Sequence, residues 1–71
     1  MYEDKQKICD LLLPALQATN NLYDLAKLTY SRADNGSEVV IAEFTSGYRK
    51  IANVSMDSGT SMIRDIVKQI V

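Results

Sequence analysis

The sequence contains no histidine and no tryptophan, and Cys9 is its only cysteine. An internal disulfide is therefore excluded, and the usual zinc ligand sets cannot be assembled from this chain. A catalytic triad that uses histidine is excluded as well. The carboxylates are scattered, and no local spacing pairs two of them for acid–base chemistry. We expect a protein that binds no metal or cofactor and is not an enzyme.

Excess charge of one sign and long apolar runs are also missing. The formal net charge of −1 provides no general attraction to nucleic acid or to anionic lipid. No apolar run approaches the roughly 18 residues that span a bilayer. Glu3, Asp4 and Asp10 interrupt anything like a signal peptide. A lone thiol suits a reducing compartment, so we expect a cytoplasmic protein that does not associate with membranes.

The composition that remains is that of an ordinary globular protein. Of the 71 residues, 46% are apolar and 24% are charged, which predicts a single domain over residues 1–71. A chain of this size buries only about 60% of the surface that its unfolded form exposes. Small domains often gain stability from a disulfide, a metal or a partner chain. Here a partner chain is the remaining source.

The spacing of apolar residues predicts a first helix over Glu3–Thr19. Pro14 removes one backbone hydrogen bond within this segment and crowds the preceding turn. Because the apolar stripe continues past Pro14, we expect a kink rather than the end of the helix. The stripe consists of Ile8, Leu11, Leu12, Ala15 and Leu16.

A second helix is predicted from about Ser58 to the C-terminus, with Asp57 or Ser58 as its cap. Ser58-Gly59-Thr60-Ser61 at a helix N-terminus also suggests an anion site, because backbone N–H groups point outward there. Asp57 would repel an anion, so capping is the favoured interpretation. The apolar face of this helix consists of Met62, Ile63, Ile66, Val67 and Ile70.

The segment Leu22–Arg32 fits two patterns. Leucines at every third position suggest a helix, whereas Ala26, Leu28 and Tyr30 alternate with polar residues as in a strand. Asp34-Asn35-Gly36 then gives a strong hairpin signal, because a type I′ turn needs positive φ at two successive positions. A hairpin requires a strand on each side, so we predict a strand here.

Two further strands follow, Glu38–Phe44 and Tyr48–Ser55, joined at Thr45-Ser46-Gly47. If Ser46 and Gly47 form a two-residue loop, Thr45 faces Tyr48, and an oppositely charged pair falls into register further along. The pairs expected in that register are Glu43 with Lys50, Ile41 with Ala52, and Val39 with Val54.

The element order αβββα predicts an α+β fold, in which a three-stranded antiparallel meander packs two helices on one face. Such a sheet should alternate between apolar and polar residues, yet both of its faces carry apolar side chains. In the expected register the helix-facing set includes Val40, Ala42, Phe44 and Ile51. The outer set is Val39, Ile41, Tyr48, Ala52 and Val54.

Two interpretations of this outer set remain open. Residues near the chain ends, or a different strand register, could cover it. Alternatively, it meets a protein partner or a second copy of the chain, because sizeable exposed apolar patches mark interaction sites. The second interpretation predicts a non-catalytic protein-binding or self-associating accessory module, with a homodimer as one form.

A nucleic-acid-binding module is the alternative function. Tyr48, Arg49 and Lys50 combine an aromatic ring with two positive charges, which suits stacking and phosphate contacts. The same residues also fit a solvated rim of the sheet, because the other basic residues are interleaved with acids.

The order αβββα resembles that of the double-stranded RNA-binding domain, which has a similar length. That family carries a lysine cluster at the start of its second helix, which grips phosphates. The corresponding stretch here, Asp57-Ser58-Gly59-Thr60-Ser61, is acidic and has no lysine. No binding residue of the family carries over, so the resemblance concerns element order alone.

A second resemblance covers less than half of the chain. Phe44-Thr45-Ser46-Gly47-Tyr48-Arg49-Lys50, Asn53-Val54 and the stretch from Asp57 to Asp65 are similar to small uncharacterised proteins of bacterial prophages and conjugative elements. This resemblance implies a bacterial accessory role and carries no known activity.

Overall fold

The computed structural model describes residues 4–55 and 58–70. Three strands form one antiparallel sheet in the order β1-β2-β3, as predicted for an α+β fold with the order αβββα. The elements are α1 (Lys5–Gln17), β1 (Leu25–Arg32), β2 (Glu38–Phe44), β3 (Arg49–Asn53) and α2 (Gly59–Ile70).

Helix α1 is shorter than predicted but continues past its proline. Asp4 caps it, because its side chain accepts a hydrogen bond from the Lys7 N–H at 3.0 Å. Pro14 lies inside the helix, which ends at Gln17. The prediction that Pro14 does not end the helix is confirmed, whereas Glu3 lies outside the described residues.

Helix α2 begins with a serine cap. The Ser58 hydroxyl accepts a hydrogen bond from the Ser61 N–H at 3.4 Å, as the capping interpretation predicts. Asp57, the other predicted cap, lies outside the described residues. Ile63 and Val67 remain partly exposed, so the buried stripe is narrower than the predicted apolar face. The buried residues of α2 are Gly59, Met62, Ile66 and Ile70.

Strand β1 contains a bulge that explains its ambiguous leucine spacing. The register with β2 shifts between Leu25 and Lys27, which leaves Ala26 as the extra residue. Leu25 and Leu28 therefore both point into the core although they are three residues apart. A spacing typical of a helix arises here within a strand.

The first hairpin turns through a three-residue loop. The Ala33 N–H donates to the Ser37 carbonyl at 2.8 Å, and the Gly36 N–H donates to the Ala33 carbonyl at 3.0 Å. Gly36 has a φ of +91° and is the last residue of this loop, so the expected two-residue type I′ turn does not form. The hairpin itself is as predicted.

The second hairpin has the same kind of loop, and this changes the register of β3. The Phe44 N–H donates to the Tyr48 carbonyl at 2.9 Å, and the Gly47 N–H donates to the Phe44 carbonyl at 2.9 Å. The predicted two-residue loop is therefore wrong by one residue. The observed pairs are Val39 with Asn53, Val40 with Ala52, Ile41 with Ile51, Ala42 with Lys50, and Glu43 with Arg49.

A shift of one residue moves every side chain of a strand to the other face. Ala52 and Val54, predicted on the outer face, are fully buried beneath the helices. Ile51, predicted on the helix side, pairs with Ile41 and is 64% exposed on the outer face. The predicted placement of these three residues was wrong, because loop length decided the register.

The core is a single layer between the sheet and the two helices. Cys9 lies within it. Its buried members are Cys9, Leu16, Leu22, Leu25, Leu28, Val40, Ala42, Phe44, Ala52, Val54, Met62, Ile66 and Ile70.

Candidate functional site

The outer face of the sheet is a grid of three cross-strand rows. Directly paired residues on neighbouring antiparallel strands point to the same face, so the observed register defines each row. The rows are Lys27, Glu43 and Arg49; then Thr29, Ile41 and Ile51; then Ser31, Val39 and Asn53.

Apolar side chains occupy the middle of this outer face. Val39 and Ile41 lie on the central strand and are half-buried by their neighbours, whereas Ile51 on the edge strand is mostly exposed. Both helices pack against the other side of the sheet, where the core lies. Of the five residues predicted for this face, Val39 and Ile41 lie on it, and Ile51 was missed.

Tyr48 lies at the rim of the opposite side. It closes the second hairpin across from Phe44, and the two rings lie 5.8 Å apart at a tilt of 42°. Because Phe44 faces the core, Tyr48 extends along the helix side of the sheet, where it is 59% exposed. Tyr48 therefore does not join Val39 and Ile41.

Arg49 and Lys50 point to opposite faces. Arg49 lies on the outer face beside Glu43, with 4.0 Å between the guanidinium and carboxylate atoms. Lys50 lies on the helix side, and its Nζ donates to the Ile70 carbonyl at 3.0 Å. A cation is favourable at that helix C-terminus. The three predicted nucleic-acid contacts are thus divided between two surfaces.

A shallow groove of about 340 Å³ opens at the end of the sheet where Tyr48 and Lys50 lie. Leu22, Phe44 and Ile70 contribute apolar walls, and Asp24 adds a carboxylate. The groove thus combines one acidic and one basic side chain, and the base already binds the end of α2.

Glutamine side chains from the helices bind the edge strands. The Gln6 amide donates to the Leu28 carbonyl at 3.3 Å and accepts from the Tyr30 N–H at 2.9 Å. On the opposite edge, Gln69 accepts from the Asn53 N–H at 2.9 Å and donates to its carbonyl at 3.1 Å. Sequence reasoning missed these contacts, because a glutamine on the polar side of a helix carries no signal of its partner.

A shielded ion pair joins α1 to the sheet. Lys5 Nζ lies 2.7 Å from Glu38 Oε2, and the Tyr30 hydroxyl also donates to Glu38. The side chains of Lys5 and Glu38 are 19% and 12% exposed. This shielding makes the pair stronger than one at the open surface.

The thiol of Cys9 is not activated as a nucleophile. Burial raises the pKa of its thiol from 9.0 to about 11, and the nearby Asp10 carboxylate adds to the rise. A thiol with a raised pKa is a poor nucleophile near neutral pH.

Among residues 4–55 and 58–70, no group of three or more His, Cys, Asp and Glu side chains could hold a metal ion. In the same part of the chain, no helix has both the length and the apolar character needed to cross a membrane. We found no protein-family model, curated protein or solved structure that matches the chain.

Proposed function

We propose that this protein is a non-catalytic binding module whose outer sheet face contacts another protein, and that a second copy of the chain is the first partner to test. The observation that carries this proposal is the position of Ile51. It is 64% exposed and lies beside Ile41 and Val39 on a face that neither helix covers. Exposed apolar clusters framed by polar residues mark interaction sites.

The charges of this face favour pairing with a second copy. All its charged residues lie in the row of Lys27, Glu43 and Arg49, whereas the far row of Ser31, Val39 and Asn53 is uncharged. In a face-to-face arrangement whose two-fold axis passes Ile41 and runs across the strands, the charged row of one copy lies over the uncharged row of the other. Like charges are then kept apart, and the apolar centres meet.

The size of the face predicts weak association. Three strands spaced about 4.8 Å apart, each about 20 Å long, present roughly 300 Å² of projected area. Stable interfaces bury about 800 Å² on each partner. We therefore expect a monomer at low concentration and a dimer that forms as the concentration rises.

Ile41→Asp tests this proposal. We expect the wild-type mass, measured by light scattering over a concentration series, to rise toward twice the monomer mass. Ile41→Asp should stay monomeric, because association would bury its carboxylate without a partner. Ile51→Asp should behave in the same way, and it changes a more exposed position.

The matched control is Leu11→Asp on α1, because Leu11 is 67% exposed and lies on the helical side of the molecule. It should associate like the wild type. A wild-type monomer at every concentration would exclude self-association. Normal association of the folded Ile41→Asp protein, checked by circular dichroism, would contradict the proposed face.

The geometry favours a protein partner over nucleic acid. Arg49 lies beside Glu43, Lys50 is bound to the end of α2, and the two side chains diverge. Binding to DNA or RNA that falls steeply with added salt would argue against this choice.

A further inference from the structure

The free edge of β3 carries backbone groups that point into solvent. The Glu38 carbonyl accepts from the Val54 N–H, and the Phe44 N–H donates to the Tyr48 carbonyl. The even-numbered residues from Tyr48 to Val54 therefore direct their backbone groups toward β2. In an antiparallel ladder the residues between them point the other way. The N–H and C=O groups of Arg49 and Ile51 therefore face outward.

Several other outward-facing groups of the sheet are bound by glutamines. Gln69 hydrogen-bonds to the N–H and the carbonyl of Asn53. On β1, Gln6 binds the Leu28 carbonyl and the Tyr30 N–H. The Gln17 amide donates to the Leu25 carbonyl at 2.8 Å. Within residues 4–55 and 58–70, no side chain or backbone group bonds to the outward groups of Arg49 and Ile51. The backbone groups of Arg49 and Ile51 thus lie next to those of Asn53, which Gln69 already binds.

We propose that the edge of β3 at Arg49–Ile51 accepts an extended, carboxylate-bearing segment of a partner protein as a fourth strand. Two N–H and two C=O groups at this edge offer four hydrogen bonds to a peptide backbone. Unpaired edge groups of this kind are a template for strand addition. Pairing along β1 would instead require the displacement of Gln6.

The side chains along this edge of β3 determine which types of residue the added segment should carry. Lys50 on the helix side places a positive charge beside the added strand, and its ammonium keeps two N–H donors beyond the one that the Ile70 carbonyl accepts. Residues directly opposite on neighbouring strands have Cβ atoms about 5 Å apart, within reach of a carboxylate. On the outer face, Ile51 favours an apolar neighbour.

The charges of Arg49 and Lys50 disfavour a second copy of β3 as the occupant. Two antiparallel registers leave the Gln69 contact intact. One sets Arg49 against Arg49 of the second copy, and the other pairs Arg49 with Ile51 of the second copy. That register sets Lys50 directly against Lys50 of the second copy, and like charges at this position are destabilising. The occupant is therefore a segment of different sequence. This site uses the edge rather than the outer face, so either proposal can fail without the other.

A peptide titration tests the edge. The probe is a blocked peptide that alternates valine and glutamate, added to ¹⁵N-labelled protein while amide shifts and amide exchange are measured by NMR. We expect the Arg49 and Ile51 amides to shift and to gain protection. A peptide that alternates valine and lysine should bind about tenfold more weakly or not at all.

Two protein variants isolate the backbone contribution. Ile51→Pro removes an outward N–H that the ladder with β2 does not use, and proline is tolerated at such edge positions. Ile51→Val keeps that N–H. The proline variant should bind the valine–glutamate peptide about tenfold more weakly than the valine variant does.

Three results of the peptide titration would overturn the proposal. They are no change at Arg49 and Ile51 with about 1 mM peptide, shifts confined to the β1 edge at Leu28–Tyr30, and equal binding by the valine–lysine peptide. The peptide comparison does not depend on the folding of any variant. Equal affinity of folded Ile51→Pro and Ile51→Val would also exclude backbone pairing at this edge.

Discussion

Cys9 illustrates how packing decides the chemistry of a single residue. The thiol is fully buried in the core, and its pKa rises to about 11 because the charged form loses its contact with water. Lys5 lies one helical turn earlier, but its ammonium binds Glu38. Cys9 therefore acts as a core side chain.

The raised pKa of Cys9 predicts a loss of stability at alkaline pH. The thiol has a pKa of about 11 when folded and 9.0 without these effects. Between these values the unfolded chain releases its proton and the folded chain keeps it, so the free energy of unfolding falls as pH rises. Across that window the loss should amount to about 2 kcal/mol.

Cys9→Ala is the reference for this measurement, because it separates the contribution of the thiol from every other effect of alkaline pH. Urea unfolding at pH 8, 9, 10 and 11 should show a steeper decline for the wild type than for Cys9→Ala. Parallel declines would show that the thiol does not govern the alkaline slope.

At the scale of elements, loop length decides which side chains face outward. Gly47 has a φ of +89°, and a Cβ at this position would meet no atom within 4 Å. Glycine is therefore needed for the turn conformation and not for space. Two-residue and three-residue hairpin loops both place a glycine near the end of the turn. The loop length is therefore seen only in the backbone hydrogen bonds of the folded hairpin.

The glutamine contacts show how helices bind the sheet edges. Gln69→Ala removes two hydrogen bonds to the Asn53 backbone. Because this site is exposed, we expect a loss of no more than about 1 kcal/mol in unfolding free energy. The Asn53 amide should exchange faster with solvent, which NMR hydrogen exchange measures.

Gln69→Glu is the matched variant, since a carboxylate can still accept from the Asn53 N–H but cannot donate to its carbonyl. It should keep most of the Asn53 protection that the alanine variant loses. Equal exchange rates at Asn53 in wild type and Gln69→Ala would contradict the assigned contact.

At the scale of the whole molecule, the ion pair between Lys5 and Glu38 holds α1 against the sheet. Lys5→Met should lower the free energy of unfolding by about 1–3 kcal/mol, because a mostly buried carboxylate loses its cationic partner. Urea denaturation measures this change.

Lys7→Met provides the comparison, because Lys7 lies on the same helix and is exposed. Its effect should stay within about 0.5 kcal/mol. If Lys7→Met lowered the free energy of unfolding as much as Lys5→Met does, the positive charge of the helix in general, and not the contact with Glu38, would cause the change.

The two proposed interaction surfaces meet at one residue. Ile51 presents its side chain to the outer face and its backbone groups to the open edge of β3. Aspartate at this position alters the side chain and leaves the backbone N–H, whereas proline removes the N–H. The pair of variants therefore separates face contact from strand addition.

The sequence by itself determined the order of elements, both hairpins, the cap at Ser58, and the α+β fold. These features depend on local spacing and turn residues, which act over a few positions. The tertiary structure alone decided the face on which Ala52, Val54 and Ile51 lie, because one loop residue inverts a strand. It alone also decided which edge groups the glutamines occupy, since those contacts join residues far apart in the chain.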